Sequence, residues 1–183
     1  MTRCGYFLAV VIIGVLMLFV AGCGGGPKGT AWSFGQALVL RVTDLNRVAE
    51  VQFSDEEGHY VIRPTQQDWE LAALKIEVMN KESSVVFLSL NEDALYLRDK
   101  DRTEYLPIDF REQREEVPEA LSDENKFAPF LWGEIELPNK CGQPLENCQL
   151  VGWVIFEVPK DMDRDLVLWQ ASETIMLQFG EWD

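Results

Sequence analysis

Histidine is nearly absent from this 183-residue chain: His59 is the single one. A Ser-His-Asp arrangement needs a histidine beside its nucleophile. His59 instead follows Glu56-Glu57-Gly58 and reads as a solvated turn residue. Basic residues are also scarce, 16 Lys and Arg against 31 Asp and Glu, for a formal charge of −15. Such a surface repels phosphate, which excludes nucleic-acid binding as a function class. No glycine-rich phosphate loop is present, because Gly24-Gly25-Gly26 precedes no strand–helix unit. Helical periodicity and internal repeats are missing as well. No pair of the many carboxylates stands out for glycosidase chemistry. The chain is therefore expected to be non-enzymatic and to carry no cofactor or metal.

What is present begins at the N-terminus. Arg3 supplies a positive start, and residues 6–21 follow without a charge or a proline. That run of about 16 residues is short of the ~20 needed to span a bilayer. Gly22-Cys23 breaks it, and three glycines and Pro27 follow, through which no stable helix continues. A basic start, an apolar stretch and small residues at the cut are the order of a signal peptide. Val20-Ala21-Gly22-Cys23 resembles the bacterial lipobox, with valine where leucine is usual. The resemblance implies cleavage before Cys23 and acylation of its sulfur. Two or more acyl chains, at about 0.8 kcal/mol per buried CH₂, make a stable anchor. The alternative is an uncleaved N-terminal membrane anchor. Loss of residues 1–22 removes only Arg3 among the charges, so the mature chain is one unit more acidic. The lipid, not charge, then holds it at a membrane.

Three segments are expected: a cleaved signal peptide over 1–22, a lipid-anchored flexible tether over 23–36, and a folded domain over 37–183. Cys4 falls in the discarded segment. Cys141 and Cys148 flank Gly142-Gln143-Pro144-Leu145-Glu146-Asn147, a turn-rich stretch. Exported proteins meet oxidising surroundings, where close pairs become disulfides. A Cys141–Cys148 bridge is therefore expected, and zinc, with only His59 to add, is disfavoured.

The domain shows period two. Leu38, Leu40 and Val42 alternate, as do Leu74, Ile76 and Val78, the latter on a strand with one wet face. Further strands are expected over 48–53, 59–63, 85–88, 94–98, 102–107, 130–137, 149–158, 166–169 and 174–179. The strand over 149–158 is apolar on both faces, with Val151, Trp153 and Ile155 opposite Leu150, Val154 and Phe156. One face of a sandwich strand is normally wet. The second face here is expected to be covered, by the long acidic segment 108–129 or by a partner. That segment reads as an exposed loop with one helical turn opened by Pro118, and Phe127 and Phe130 tucked back. Many short strands without a long helix predict an all-β antiparallel β-sandwich.

The strand running to Asn80, the Leu97-Arg98-Asp99-Lys100-Asp101 hairpin with Tyr105, the long variable loop and the terminal Phe156-Glu157-Val158-Pro159 together resemble a family. It is that of telokin-like, Ig-fold extracellular domains of unknown function on bacterial surface lipoproteins, over roughly residues 38–179. The resemblance implies an Ig-like sandwich outside the cytoplasm, with no established activity. The Cys141–Cys148 insertion and the length of 108–129 depart from the family.

Asp161, Asp163 and Asp165 have calcium-loop spacing, but Leu166 and Ser172 stand where an EF-hand needs Gly and Glu. Trp132, Trp153 and Trp169 are expected to fill the core, leaving Trp32 and Trp182 for exposed contact. Two functions stay open. The first is a lipid-anchored envelope or cell-surface module binding an envelope or extracellular protein partner. The second is an envelope carbohydrate-binding module or a carboxylate-based hydrolase.

Overall fold

A computed structural model describes residues 31–81, 83–119, 126–130, 132–138 and 149–179. The signal segment, Cys23, most of the tether, the Cys141–Cys148 loop, Trp182 and the core of the expected helical turn lie outside them. In chain order the strands are β1 (Ala31–Phe34), β2 (Leu38–Val48), β3 (Val51–Ser54), β4 (His59–Ile62), β5 (Trp69–Asn80) and β6 (Val85–Leu90). A 3-10 turn, Glu92–Ala94, leads to β7 (Leu95–Asp99) and β8 (Glu104–Tyr105). There follow β9 (Glu115–Val117), β10 (Gly133–Pro138), β11 (Gln149–Pro159), β12 (Arg164–Trp169) and β13 (Ile175–Gln178). The protein is all-β, and every ladder between these strands is antiparallel. No described helix is long and apolar enough to cross a membrane.

Four sheets result, ordered β1-β2-β5-β11, β10-β6, β13-β12-β7-β8 and β3-β4-β9. Period two builds the first. Leu38, Leu40 and Val42 of β2, Leu74, Ile76 and Val78 of β5, and Val154, Phe156 and Val158 of β11 share its inner face. They pack against Leu88 and Leu137 from the β10-β6 pair and Leu97, Val167, Trp169 and Leu177 from the third sheet. Asn80 closes one end of this core. Its Nδ2 donates to the Ser83 and Leu137 carbonyls at 2.9 and 2.8 Å, which satisfies a buried amide.

The outer face of the same sheet carries a second, smaller core. Leu71, Ala73 and Ile155 lie under Val51, Phe53, Tyr60 and Ile62 of the β3-β4 hairpin, with Ile108 and Phe127. The alternation expected over 74–79 is present, with Lys75, Glu77 and Met79 on the more exposed face, but β5 begins earlier and its start differs. Leu71-Ala72-Ala73-Leu74 is buried on both sides, as an unbroken apolar run implies. The strand expected over 48–53 is also divided. Val48 ends β2, whose register shifts between Val42 and Asp44, and β3 starts at Val51.

Segment 108–129 is not the plain exposed loop expected. Its residues 115–117 form β9 against β4, and its two ends close the free side of β11. Pro107 bridges Phe156, and the Ile108 amide donates to the Ile155 carbonyl at 2.8 Å. The Phe130 amide donates to Trp153 O at 2.7 Å, and the Trp153 amide to Ala128 O at 3.3 Å. Phe127 meets Trp153 edge-on, ring centroids 4.8 Å apart. The covering of the second face by the chain's own segment is thus observed at Trp153 and Ile155. Arg114 pins the segment further, bonding Asp55 at 2.7 Å and Glu57 at 3.0 Å and lying 3.9 Å above the Tyr60 ring. Burial acts to raise the Asp55 carboxyl, but hydrogen bonds from the Glu57 amide and Arg114 outweigh it and hold the group low.

Residues 31–36, assigned to the tether from sequence, belong to the fold. Trp32 and Phe34 pair with Arg41 and Val39, and the Ser33 hydroxyl donates to the Met176 carbonyl. The turn into β2 is held by Glu173, whose carboxylate accepts the Gln36 and Leu38 amides at 2.5 and 2.6 Å. A charge-assisted clamp of this kind is roughly twice as strong as a neutral hydrogen bond.

Candidate functional site

Three turns meet at a cleft of about 250 Å³ lined by Leu90, Asn91, Glu92, Pro107, Asp109, Arg111, Trp132 and Gly133. Asn91 caps the 3-10 turn, its side chain accepting from the Asp93 amide at 3.1 Å. Polar side chains at this position satisfy an otherwise orphaned N–H. On the second side, Pro107 and Ile108 are tied to β11, which fixes Asp109. Asp109 Oδ1 accepts the Arg111 amide at 2.8 Å, and its carbonyl accepts the Glu112 and Gln113 amides. On the third side Trp132 is half-buried against the main core. Gly133 then turns the chain into β10 with φ of 115°, a conformation open to glycine and strained for other residues.

The cleft offers two carboxylates, an amide, a guanidinium and an indole. That set suits a ligand with hydroxyl or amide groups and one apolar face. Glu92 is exposed, and Asp109 is occupied in shaping its own turn. At about 250 Å³ the cleft is also smaller than the ~300–1,000 Å³ usual for small-molecule sites.

The calcium-like spacing leads elsewhere. Asp161 and Asp163 line a hollow of about 300 Å³ beside Asp99, Asp101 and Tyr105. Asp163 is 2.7 Å from Lys100, and Asp165 is 2.7 Å from Arg98. Among the described residues no group of three or more His, Cys, Asp or Glu is arranged to hold a metal ion. Asp99, buried at the end of β7, accepts the Thr103 amide at 2.8 Å and the Tyr105 hydroxyl at 2.9 Å. Burial acts to raise its carboxyl, yet these hydrogen bonds win and hold it below the ordinary range. Burial first, and then the Asp99 carboxylate, push the Tyr105 phenol up to about 12.

That shift has a pH signature. The folded state keeps the Tyr105 proton after the unfolded chain, at its ordinary 10.0, has begun to lose it. Stability from this group is complete below pH 10.0 and falls as pH rises towards about 12. Tyr105→Phe is expected to cost about 1–3 kcal/mol near neutrality, because Asp99 loses a donor. The same substitution flattens the alkaline loss. Urea midpoints of both proteins across the alkaline range check this, and parallel curves would contradict it. Tyr60 and Tyr96 are also raised, chiefly by burial, so the slope shrinks without vanishing.

Of the residues singled out from sequence, Trp169 is fully buried, Trp132 and Trp153 are half-buried against the two cores, and Trp32 is exposed. His59 opens β4 and is half-buried. Cys23, Cys141 and Cys148 lie outside the described residues. Asn91, Glu92, Asp109 and Arg111 were not legible as a group, since no spacing joins residues 90–92, 107–111 and 132.

The fold and these hollows define an all-β protein of antiparallel sheets with a shallow polar and aromatic cleft. No family model matches the chain. No curated protein matches it either. Among solved structures, a candidate lipoprotein, ycdA, from Bacillus subtilis subsp. subtilis str. 168 is similar at 11% identity and a TM-score of 0.46. The match covers 86% of this chain and 36% of that one, so the chain spans about a third of its length. No assignment rests on so slight a likeness.

Proposed function

We propose that this chain is a lipoprotein anchored by a lipid on Cys23, facing outside the cytoplasm at the cell envelope or surface. Its domain is an Ig-like β-sandwich acting as a non-enzymatic protein-binding or accessory module. The observation that carries this reading is Val20-Ala21-Gly22-Cys23 at the end of an uncharged apolar segment. The antiparallel all-β fold supports the sandwich part of this reading. A Cys141–Cys148 disulfide completes the proposal and suits an oxidising compartment.

Radioactive palmitate labelling of cells making the wild type and Cys23→Ser tests the anchor. Label is expected in the wild type alone, with the variant moving to the soluble fraction. Label persisting in the variant sinks the reading. Crosslinking from intact membranes then tests the module, with a specific protein partner expected.

One observation favours a second reading, an envelope carbohydrate-binding module: the cleft sets Trp132 beside Glu92 and Asp109. Soluble envelope glycan quenching Trp132 fluorescence, with no crosslinked protein, selects that reading.

A further inference from the structure

The outer face of the first sheet is covered over only half its length. At the Leu71, Ala73 and Ile155 end it lies under the β3-β4-β9 sheet and segment 108–129. At the other end two cross-strand rows lie beyond that cover; Val39 is buried among its neighbours there, and Trp32, Phe34 and Val151 are the exposed members. One row is Phe34, Val39, Met79 and Gln149; the next is Trp32, Arg41, Glu77 and Val151. Phe34 is 68% exposed, and Trp32 and Val151 are each 44% exposed. Large apolar side chains gathered on one open face mark a contact surface, not scattered surface residues.

From this placement we infer that the open half of the sheet, centred on Trp32 and Phe34, rests on the lipid surface to which the chain is anchored. The inference rests on the Cys23 lipid reading above. Its first support is distance. Residues 24–30 alone separate Cys23 from β1. Fully extended, that link reaches roughly 28 Å. β1 is therefore the strand closest to the anchor along the chain, and the anchor holds it within reach of the bilayer at a local concentration on the order of millimolar. A contact too weak to bind a membrane alone suffices under that condition.

Its second support is chemistry. Tryptophan pairs an apolar ring with an N–H donor and favours the boundary between headgroups and acyl chains. Arg41 lies 4.4 Å from the Trp32 ring centroid and 3.1 Å from Glu77, so the single carboxylate in these two rows is paired. The rest of the chain is strongly acidic and repels anionic headgroups. An apolar contact is the kind open to it. Its third support is rigidity. Hydrogen bonds to β2, the Ser33 bond to Met176 and the Glu173 clamp hold Trp32 and Phe34 in place, so little ordering entropy is lost on contact.

The test uses the full lipidated chain in phosphatidylcholine vesicles whose acyl chains carry bromine, which quenches indole fluorescence at short range. Wild type is expected to be quenched. Trp32→Phe loses most of that quenching, and Phe34→Asp weakens it, while both variants float with the vesicles as the wild type does. Flotation intact with quenching unchanged in Trp32→Phe, or with none in the wild type, overturns the inference. So does shielding of Trp32 from aqueous quencher in vesicle-free protein, which assigns the face to a second copy. Cys23→Ser floating as well as wild type marks a different failure, that of the anchor reading, and the inference falls with it.

Discussion

Trp169→Ala is expected to lower the unfolding free energy by about 3–5 kcal/mol, the range for removing a large aromatic from a packed core. Trp169 is 1% exposed and is the largest fully buried side chain among the described residues. It sits in β12 between Leu95 of β7 and Ile175 of β13, in the core shared by the sheets. Its Nε1 donates to the Ala171 carbonyl at 2.8 Å, so truncation also strips a buried acceptor of its partner. Domains of this size are stable by only about 5–15 kcal/mol, so the variant is expected to lose a large fraction of the total. Urea unfolding followed by circular dichroism measures the loss. Trp169→Phe separates the causes, since it retains most of the volume and gives up the N–H; it is expected to cost distinctly less. A loss under about 1 kcal/mol for Trp169→Ala would refute the packing described here.

The second large effect is expected at Gly152, on the inner face of β11. A Cβ there would stand 2.8 Å from Phe130 Cα and 2.8 Å from its Cδ2. A flexible side-chain tip moves aside easily; a backbone carbon held by a 2.7 Å hydrogen bond to Trp153 does not. Gly152→Val is therefore expected to cost about 3 kcal/mol, the upper part of the range for overfilling a packed site. Gly152→Ala sits nearer the lower part. The damage is directional, because relief comes by lifting residues 128–130 off β11. Trp153 becomes more accessible to acrylamide, and protease cuts appear within 108–129 before global unfolding. Loss of stability without those local changes would mean that the segment is not what yields.

Much of the fold was legible because sheet burial writes period two into the chain. Leu74, Ile76 and Val78 lie where their alternation places them, and β11 is two-faced as its apolar run implies. What was not legible depends on partners distant in sequence. Trp32-Ser33-Phe34 follows a glycine-rich stretch and reads as tether; it is a strand because it pairs with β2, and Glu173, far along the chain, holds the turn between the two. Glu115-Glu116-Val117 has no apolar alternation and becomes β9 because β4 offers an edge. The cleft was invisible for the same reason, since its Asn91, Asp109 and Arg111 are turn residues by composition and meet only in three dimensions. The aspartate triplet shows the converse. Its spacing is regular, but Arg98 and Lys100 take Asp165 and Asp163 into ion pairs.

The closing of β11 by both ends of segment 108–129 has a consequence for many copies together. Molecules fixed to one surface, as the proposed anchor implies, meet their neighbours repeatedly and in similar orientations. Under such crowding a bare strand edge is a template for edge-to-edge polymerisation. Pro107, Ile108 and residues 128–130 occupy the middle of the free edge of β11, at Trp153, Ile155 and Phe156. A dense two-dimensional layer of this protein is thereby denied one route to fibre growth, at the middle of a largely apolar edge strand.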